Sequence, residues 1–125
     1  MKDDLPKQFE RSVSAESHGG SQGAAFVYNI TFSIENSIAE NWLQWMINEH
    51  IPEVMNTGCF IGHRILRLLE TDETDGPTYA IQYHAASKAD YNRYISLHAE
   101  GLRKKGFDKW GNQFIAFRSV MEVVR

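Results

Sequence analysis

The stretch FVYNITFSI, residues 26–34, decides the fold, because Tyr28, Ile30, Phe32 and Ile34 alternate with Asn29, Thr31 and Ser33. A period of two puts the apolar set on one face of an extended chain and the polar set on the other. The segment therefore reads as a strand with one face in a core. Downstream, Ser37 stands three residues before Glu40 as a capping box, and Ile38, Trp42, Leu43 and Met46 share a helical face opposite Glu40, Gln44 and Asn48. The first helix starts there. Pro52 pushes Ile51 away from helical dihedrals, so the helix is expected to end near His50, with any final turn through Val54 and Met55 closing at Gly58.

The runs FIGHRILRLLE (60–70) and TYAIQYHA (78–85) flank the polar loop TDETDGP and read as a hairpin. Ser87, three residues before Asp90, opens a second helix. Its stripe is Tyr91, Tyr94, Ile95, His98 and Leu102, and it runs to about Gly106. After a turn at Trp110 and Gly111, FIAFRSVMEVV (114–124) closes the chain as a fourth strand. The order is βαββαβ. Two right-handed crossovers around a hairpin give an α+β ferredoxin-like sandwich, a four-stranded antiparallel sheet of order 4-1-3-2 with both helices on one face.

Residues 1–25 mix charges with Ser, Gly and Gln, carry few large apolar side chains, and are expected to be a flexible leader to a domain at 26–125. The acidic Asp3 and Asp4, followed by Pro6, do not fit a secretory signal. The 125 residues are 42% hydrophobic and 23% charged, a composition for one folded domain rather than a membrane protein. With 13 basic against 16 acidic residues there is no cationic field for nucleic acid. Cys59 is the only cysteine, which excludes an intramolecular disulfide and thiolate-rich metal sites and points to the cytoplasm.

Splitting each strand by parity places Tyr28, Ile30, Phe32, Leu66, Leu68, Tyr79, Ile81, Tyr83, Ile115, Phe117, Met121 and Val123 under the helices. The other face then carries Asn29, His63, Arg67, Gln82, His84, Arg118 and Glu122 beside Ile65, Val120 and other apolar residues. Such a face suits a homodimer closed around a polar space, although a solvated sheet face has a similar pattern. On this division Arg67 is expected to serve the interface, pairing with Glu122 of a second copy.

The runs VYNITFSI, WLQWMINEHIPEVMNTGCF, RILRLLE, TYAIQYHAASKADYNRY, HAEGLR and FIAFRSVMEVV resemble a family of short bacterial proteins catalogued as a domain of unknown function within the dimeric α+β barrel superfamily. The resemblance covers Phe26 to Val124. It implies the ferredoxin-like fold and a dimer made by face-to-face packing of sheets. It implies no single chemistry, since the superfamily holds cofactor-independent monooxygenases, isomerases and members without shown activity.

Two histidines are candidate acid–base groups. His50 ends the first helix, where it either caps the helix C-terminus or serves a cavity, and His98 sits in the apolar stripe of the second helix. Asn29, Arg67, Gln82, His84 and Arg118 are candidate ligand contacts, as two guanidinium groups beside amides make a clamp for a carboxylate. Trp42, with Trp45 and Trp110, reads either as core packing or as the wall of a pocket for a flat ligand. No metal-ligand spacing and no cofactor motif is present. The expected function is a homodimer that binds a small anionic ligand, with no nucleic acid or membrane partner. The alternative is a cofactor-independent enzyme, oxygenase- or isomerase-like, acting on a small anionic, partly apolar metabolite.

Overall fold

The computed structural model describes residues 23–125. The expected leader lies almost wholly outside them. Ala25 belongs to the domain, since its N–H donates to Ala85 O and its carbonyl accepts from Val123 N.

Strand β1 (Phe26–Ile34) pairs antiparallel with β3 (Thr78–Ala85) on one side and β4 (Phe114–Glu122) on the other. Strand β2 (Gly62–Arg67) adds to the outer side of β3, giving the order β2-β3-β1-β4, which is 4-1-3-2 read from the other edge. The helices cover one face. They are α1 (Ala39–Trp45), a π-helical turn (Met46–His50), α2 (Ile51–Met55), α3 (Lys88–Leu97) and α4 (Ala99–Trp110). The fold is the ferredoxin-like sandwich. In the β2–β3 connection Gly76 is obligatory, because with φ at +149° an added Cβ would lie 1.8 Å from Ile34 O.

The first helical segment departs from expectation at both ends. Its cap position is Ile38, without a side-chain cap, so the Ser37–Glu40 box does not form. At the other end the chain stays helical through Pro52 to Met55. An ordinary α-turn would drive the proline ring into the carbonyl of Asn48. The chain avoids this by widening one turn, in which Ile51 N–H reaches back five residues to Met46 O. The buried positions record the inserted residue, since Trp42, Met46, Ile51 and Val54 are spaced by four, five and three.

The second helix begins as expected, with Ser87 Oγ accepting from Asp90 N at 3.0 Å. It breaks at His98 (φ −125°, ψ −29°) and resumes as α4, which runs past Gly106 to Trp110.

The two edge strands have the opposite facing to that expected. Directly paired residues of antiparallel strands share a face. Ile30 pairs with Arg118 and Ile81 with Ile65, so Arg118, Val120, Glu122, His63, Ile65 and Arg67 are on the helix side. Leu66, Ile115, Phe117 and Met121 are on the open side, 37%, 59%, 65% and 42% exposed. The physical reason is the pairing with β1: the helix-side Phe32 stands beside the small Ala116, and shifting β4 by one residue would turn Phe117 into that crowded layer.

Candidate functional site

The helix-side core is aromatic. Tyr28 packs against Phe60, Tyr83, Tyr91 and Tyr94 with ring centroids 5.6–6.3 Å apart, and Trp42 lies 5.0 Å from Phe32 and 5.7 Å from Tyr79. Between this layer, the π turn and α4 there is a cavity of about 40 Å³. Its walls include Trp42, Trp45, His50, Tyr94, Arg103, Trp110 and Arg118, and no Asp or Glu lines it.

Two arginines mark its solvent side. Both Arg103 and Arg118 are exposed, and Arg103 Nη2 donates to Tyr28 Oη at 3.0 Å. Burial pushes the Tyr94 hydroxyl above its ordinary pKa, Tyr28 adds to this, and Arg103 and Arg118 pull it down. Both guanidinium groups therefore act at the Tyr94 side of the cavity.

His50 lies on a different wall. Its ring stacks on Trp45 at 4.7 Å, and Trp45 meets Trp110 edge-on at 6.0 Å. Desolvation holds His50 down to about 4; Glu53 opposes the shift and Lys105 adds to it. The imidazole is neutral at pH 7. Lys105 and Glu53 pair at 2.9 Å, tying α4 to α2 beside this ring.

A histidine with a lowered native pKa binds its proton more readily in the unfolded chain, so stability should be complete above about pH 6.5 and fall as pH drops toward 4. The full effect is on the order of 3 kcal/mol for this shift. His50→Phe keeps the stacked ring and should remove that part of the pH dependence in urea unfolding measured between pH 4 and 7. Equal pH slopes for the two proteins would show that His50 is not the group responsible.

Of the residues chosen from sequence, the structure brings His50, Trp42 and Arg118 to one cavity. It separates the others from it. Asn29, Gln82 and His84 are on the open face, where Gln82 Nε2 donates to Asn29 Oδ1 at 3.3 Å and Asn29 Nδ2 to Thr31 Oγ1 at 3.1 Å. Desolvation lowers His84, with Arg64 and His63 adding to the shift. Arg67 is on edge strand β2, where it pairs with Glu73 of its own chain at 2.6 Å and lies 5.8 Å from the Tyr79 ring. It is not set to pair with Glu122 across an open-face interface, as both residues face the helices. His98 stands at the helix break with its ring 6.2 Å from Tyr94 and does not line the cavity.

Sequence reading missed Arg103, Tyr28 and Tyr83 as cavity residues. Arg103 follows Leu102 of the apolar stripe by one residue, and the break at His98 turns it toward Tyr28.

A larger groove of about 590 Å³ opens at one end of the sheet among loop residues, including Glu35, Asp72, Asp75 and Asn112. It holds none of the candidate residues. Among the described residues, no three His, Cys, Asp or Glu side chains are placed to hold a metal ion, and no helix is long and apolar enough to cross a membrane.

The fold has relatives among solved structures. A dimeric ferredoxin-like protein from an uncultured marine organism is 13% identical, covering 82% of this chain and 97% of its own, with a TM-score of 0.59. An ethyl tert-butyl ether D (EthD) family protein from Bacillus halodurans is 9% identical, covering 78% and 98%, also at 0.59. An EthD-like protein from Ralstonia eutropha is 11% identical, covering 83% and 96%, at 0.56. No curated protein matches the sequence. The family profile described as Domain of unknown function (DUF4286) matches residues 25–124, the sheet and helix layers described above almost in full, and the chain belongs to that family.

Proposed function

We propose that this protein is a cytoplasmic homodimer, closed through the open sheet face, that binds a small, anionic, partly apolar metabolite in the cleft between the sheet and α4. One observation carries the ligand reading: the cavity has aromatic walls, two guanidinium groups and no carboxylate. An anion with an apolar body meets both needs there. The space of about 40 Å³ holds a few waters at most. Binding therefore requires α4 to swing outward. The helix is suited to this, with the break at His98 before it, Gly111 at φ +62° after it, and most of its residues exposed.

The dimer is supported by the open face itself. Leu66, Ile115, Phe117 and Met121 surround Asn29, Thr31 and Gln82, whose side chains hydrogen-bond to one another. A second copy covers such a face without bringing unpaired charge to its centre. A dimeric ferredoxin-like relative is in keeping with this. The single free cysteine supports the cytoplasmic setting.

Benzoate is the simplest probe, an anion on a flat apolar body. It is expected to bind at millimolar concentration or better and to change tryptophan fluorescence through Trp45 and Trp110. Arg118→Leu should weaken it by about tenfold, the scale of one charged hydrogen bond. No saturable change, or no effect of Arg118→Leu, would sink the ligand reading.

The enzyme reading is favoured by one feature, the neutral His50 ring on the cavity wall, a base for a proton on a carbon or hydroxyl of the bound anion.

A further inference from the structure

Strand pairing sets the side chains of the open face in rows. Leu66, Ala80, Thr31 and Phe117 form the middle row, apolar at both ends. On one side of it stands the row Arg64, Gln82, Asn29 and Ser119. On the other side Thr78, Ser33 and Ile115 lead into the groove of about 590 Å³ at the end of the sheet. Arg64 is exposed, and its charge is felt on this face, since it adds to the desolvation that lowers His84. No Asp or Glu occupies a paired position of the open face. The groove has the opposite character, with Glu35, Asp72 and Asp75 in its walls and no Lys or Arg. Asp72 accepts from Thr74, whereas the exposed Asp75 makes no ion pair among the described residues. The open face is therefore basic on one side of its apolar row and acidic on the other.

A twofold axis joining two such faces lies between them, and its direction decides which charges meet. With the axis along the strands, each row meets the same row of the second copy, so groove meets groove and acid meets acid. With the axis across the strands, along the row from Leu66 to Phe117, that apolar row meets itself and the two charged sides exchange. Strand β2 then faces β2 of the second copy in the opposite direction. Arg64 precedes Leu66 by two residues, about 6.7 Å of strand, and the loop carrying Asp72 and Asp75 follows on the far side. Each arginine is thus brought over the loop of the other copy, across the gap of about 10 Å that separates packed sheets.

We propose that the homodimer is antiparallel, with Arg64 of each copy seated at the acidic groove of the other against Asp75 and Asp72. This rests on the reading of the open face as the dimer interface and adds its direction and its charged contact. The groove is then half of a contact that a single copy cannot complete, and the twofold axis forms it twice. Charges at the margin of an interface select orientation by penalising the arrangement that sets like against like.

Sedimentation velocity of the full chain at low salt, on Arg64→Glu, Asp75→Lys and their equimolar mixture, tests the arrangement. Each variant alone places like charges together twice per dimer and is expected to raise the dissociation constant by at least about tenfold. In the mixed dimer the introduced glutamate faces the introduced lysine, and the retained Arg64 faces the retained Asp75. The mixture should therefore return to within about threefold of the unaltered protein. Variants that dimerise as the unaltered protein does, or a mixture no tighter than its components, would overturn the antiparallel contact while the dimer stands. An unaltered chain that is monomeric at micromolar concentration removes the dimer and the contact with it. Should a charge reversal fail to fold, Arg64→Gln decides: added salt should weaken the unaltered dimer distinctly more than this variant, and equal salt dependence would overturn the contact.

Discussion

Phe117→Asp is expected to raise the dissociation constant of the proposed homodimer by about a thousandfold, leaving monomer at micromolar concentration in sedimentation velocity. Phe117 is 65% exposed on the open face of β4, between Ile115 and Ser119, and β1 places Thr31 opposite it. In a twofold interface each substitution occurs twice. Losing a buried ring and desolvating a carboxylate cost about 2 kcal/mol or more per copy, which together give the stated factor. The fold should survive, because the side chain makes no part of the helix-side core. Val120→Asp and Arg67→Glu, which parity reading of the sequence would choose, alter the helix side of the edge strands instead. A Phe117→Asp protein that remains dimeric at micromolar concentration would place the interface elsewhere.

Trp42→Ala should destabilise the domain by about 3–5 kcal/mol in urea unfolding, with the slope unchanged. Trp42 is 1% exposed, contacts Phe32 and Tyr79, and sits at the junction of α1 with β1 and β3. It also forms part of the cavity wall, so truncation enlarges an existing void rather than letting neighbours collapse. A domain of this size has about 5–15 kcal/mol in total, so the variant should be close to the limit of folding. A loss below about 1 kcal/mol would mean that water or a side chain fills the space freely.

The central strands were legible because each has one apolar set and one polar set. In β1 these are Tyr28, Ile30 and Phe32 against Asn29, Thr31 and Ser33; in β3, Ile81 and Tyr83 against Gln82 and His84. The edge strands were not. FIAFRSVME puts apolar residues at both parities, and Ile65 and Leu66 are adjacent in β2, since the open face is itself apolar at its margins. Parity then cannot choose a face, and one residue of slip exchanges every side chain. That slip carried Arg67 and Arg118 to the open face on paper and hid the meeting of Arg118 with His50 and Trp42. The tryptophan wall was readable from composition and helical position. The π turn had a trace in the sequence, since Ile51 follows Met46 by five with a proline next, a spacing no regular α-helix turns inward.

Titration of the ¹⁵N-labelled protein with benzoate, followed by its amide and indole resonances, tests whether an acid binds between the sheet and α4. Saturable shifts are expected at the Trp45 and Trp110 indoles and along α4 around Arg103, with the amides of Thr31, Gln82 and Ser119 on the open face unmoved. Shifts confined to the open face, or no shifts at millimolar benzoate, would contradict such binding.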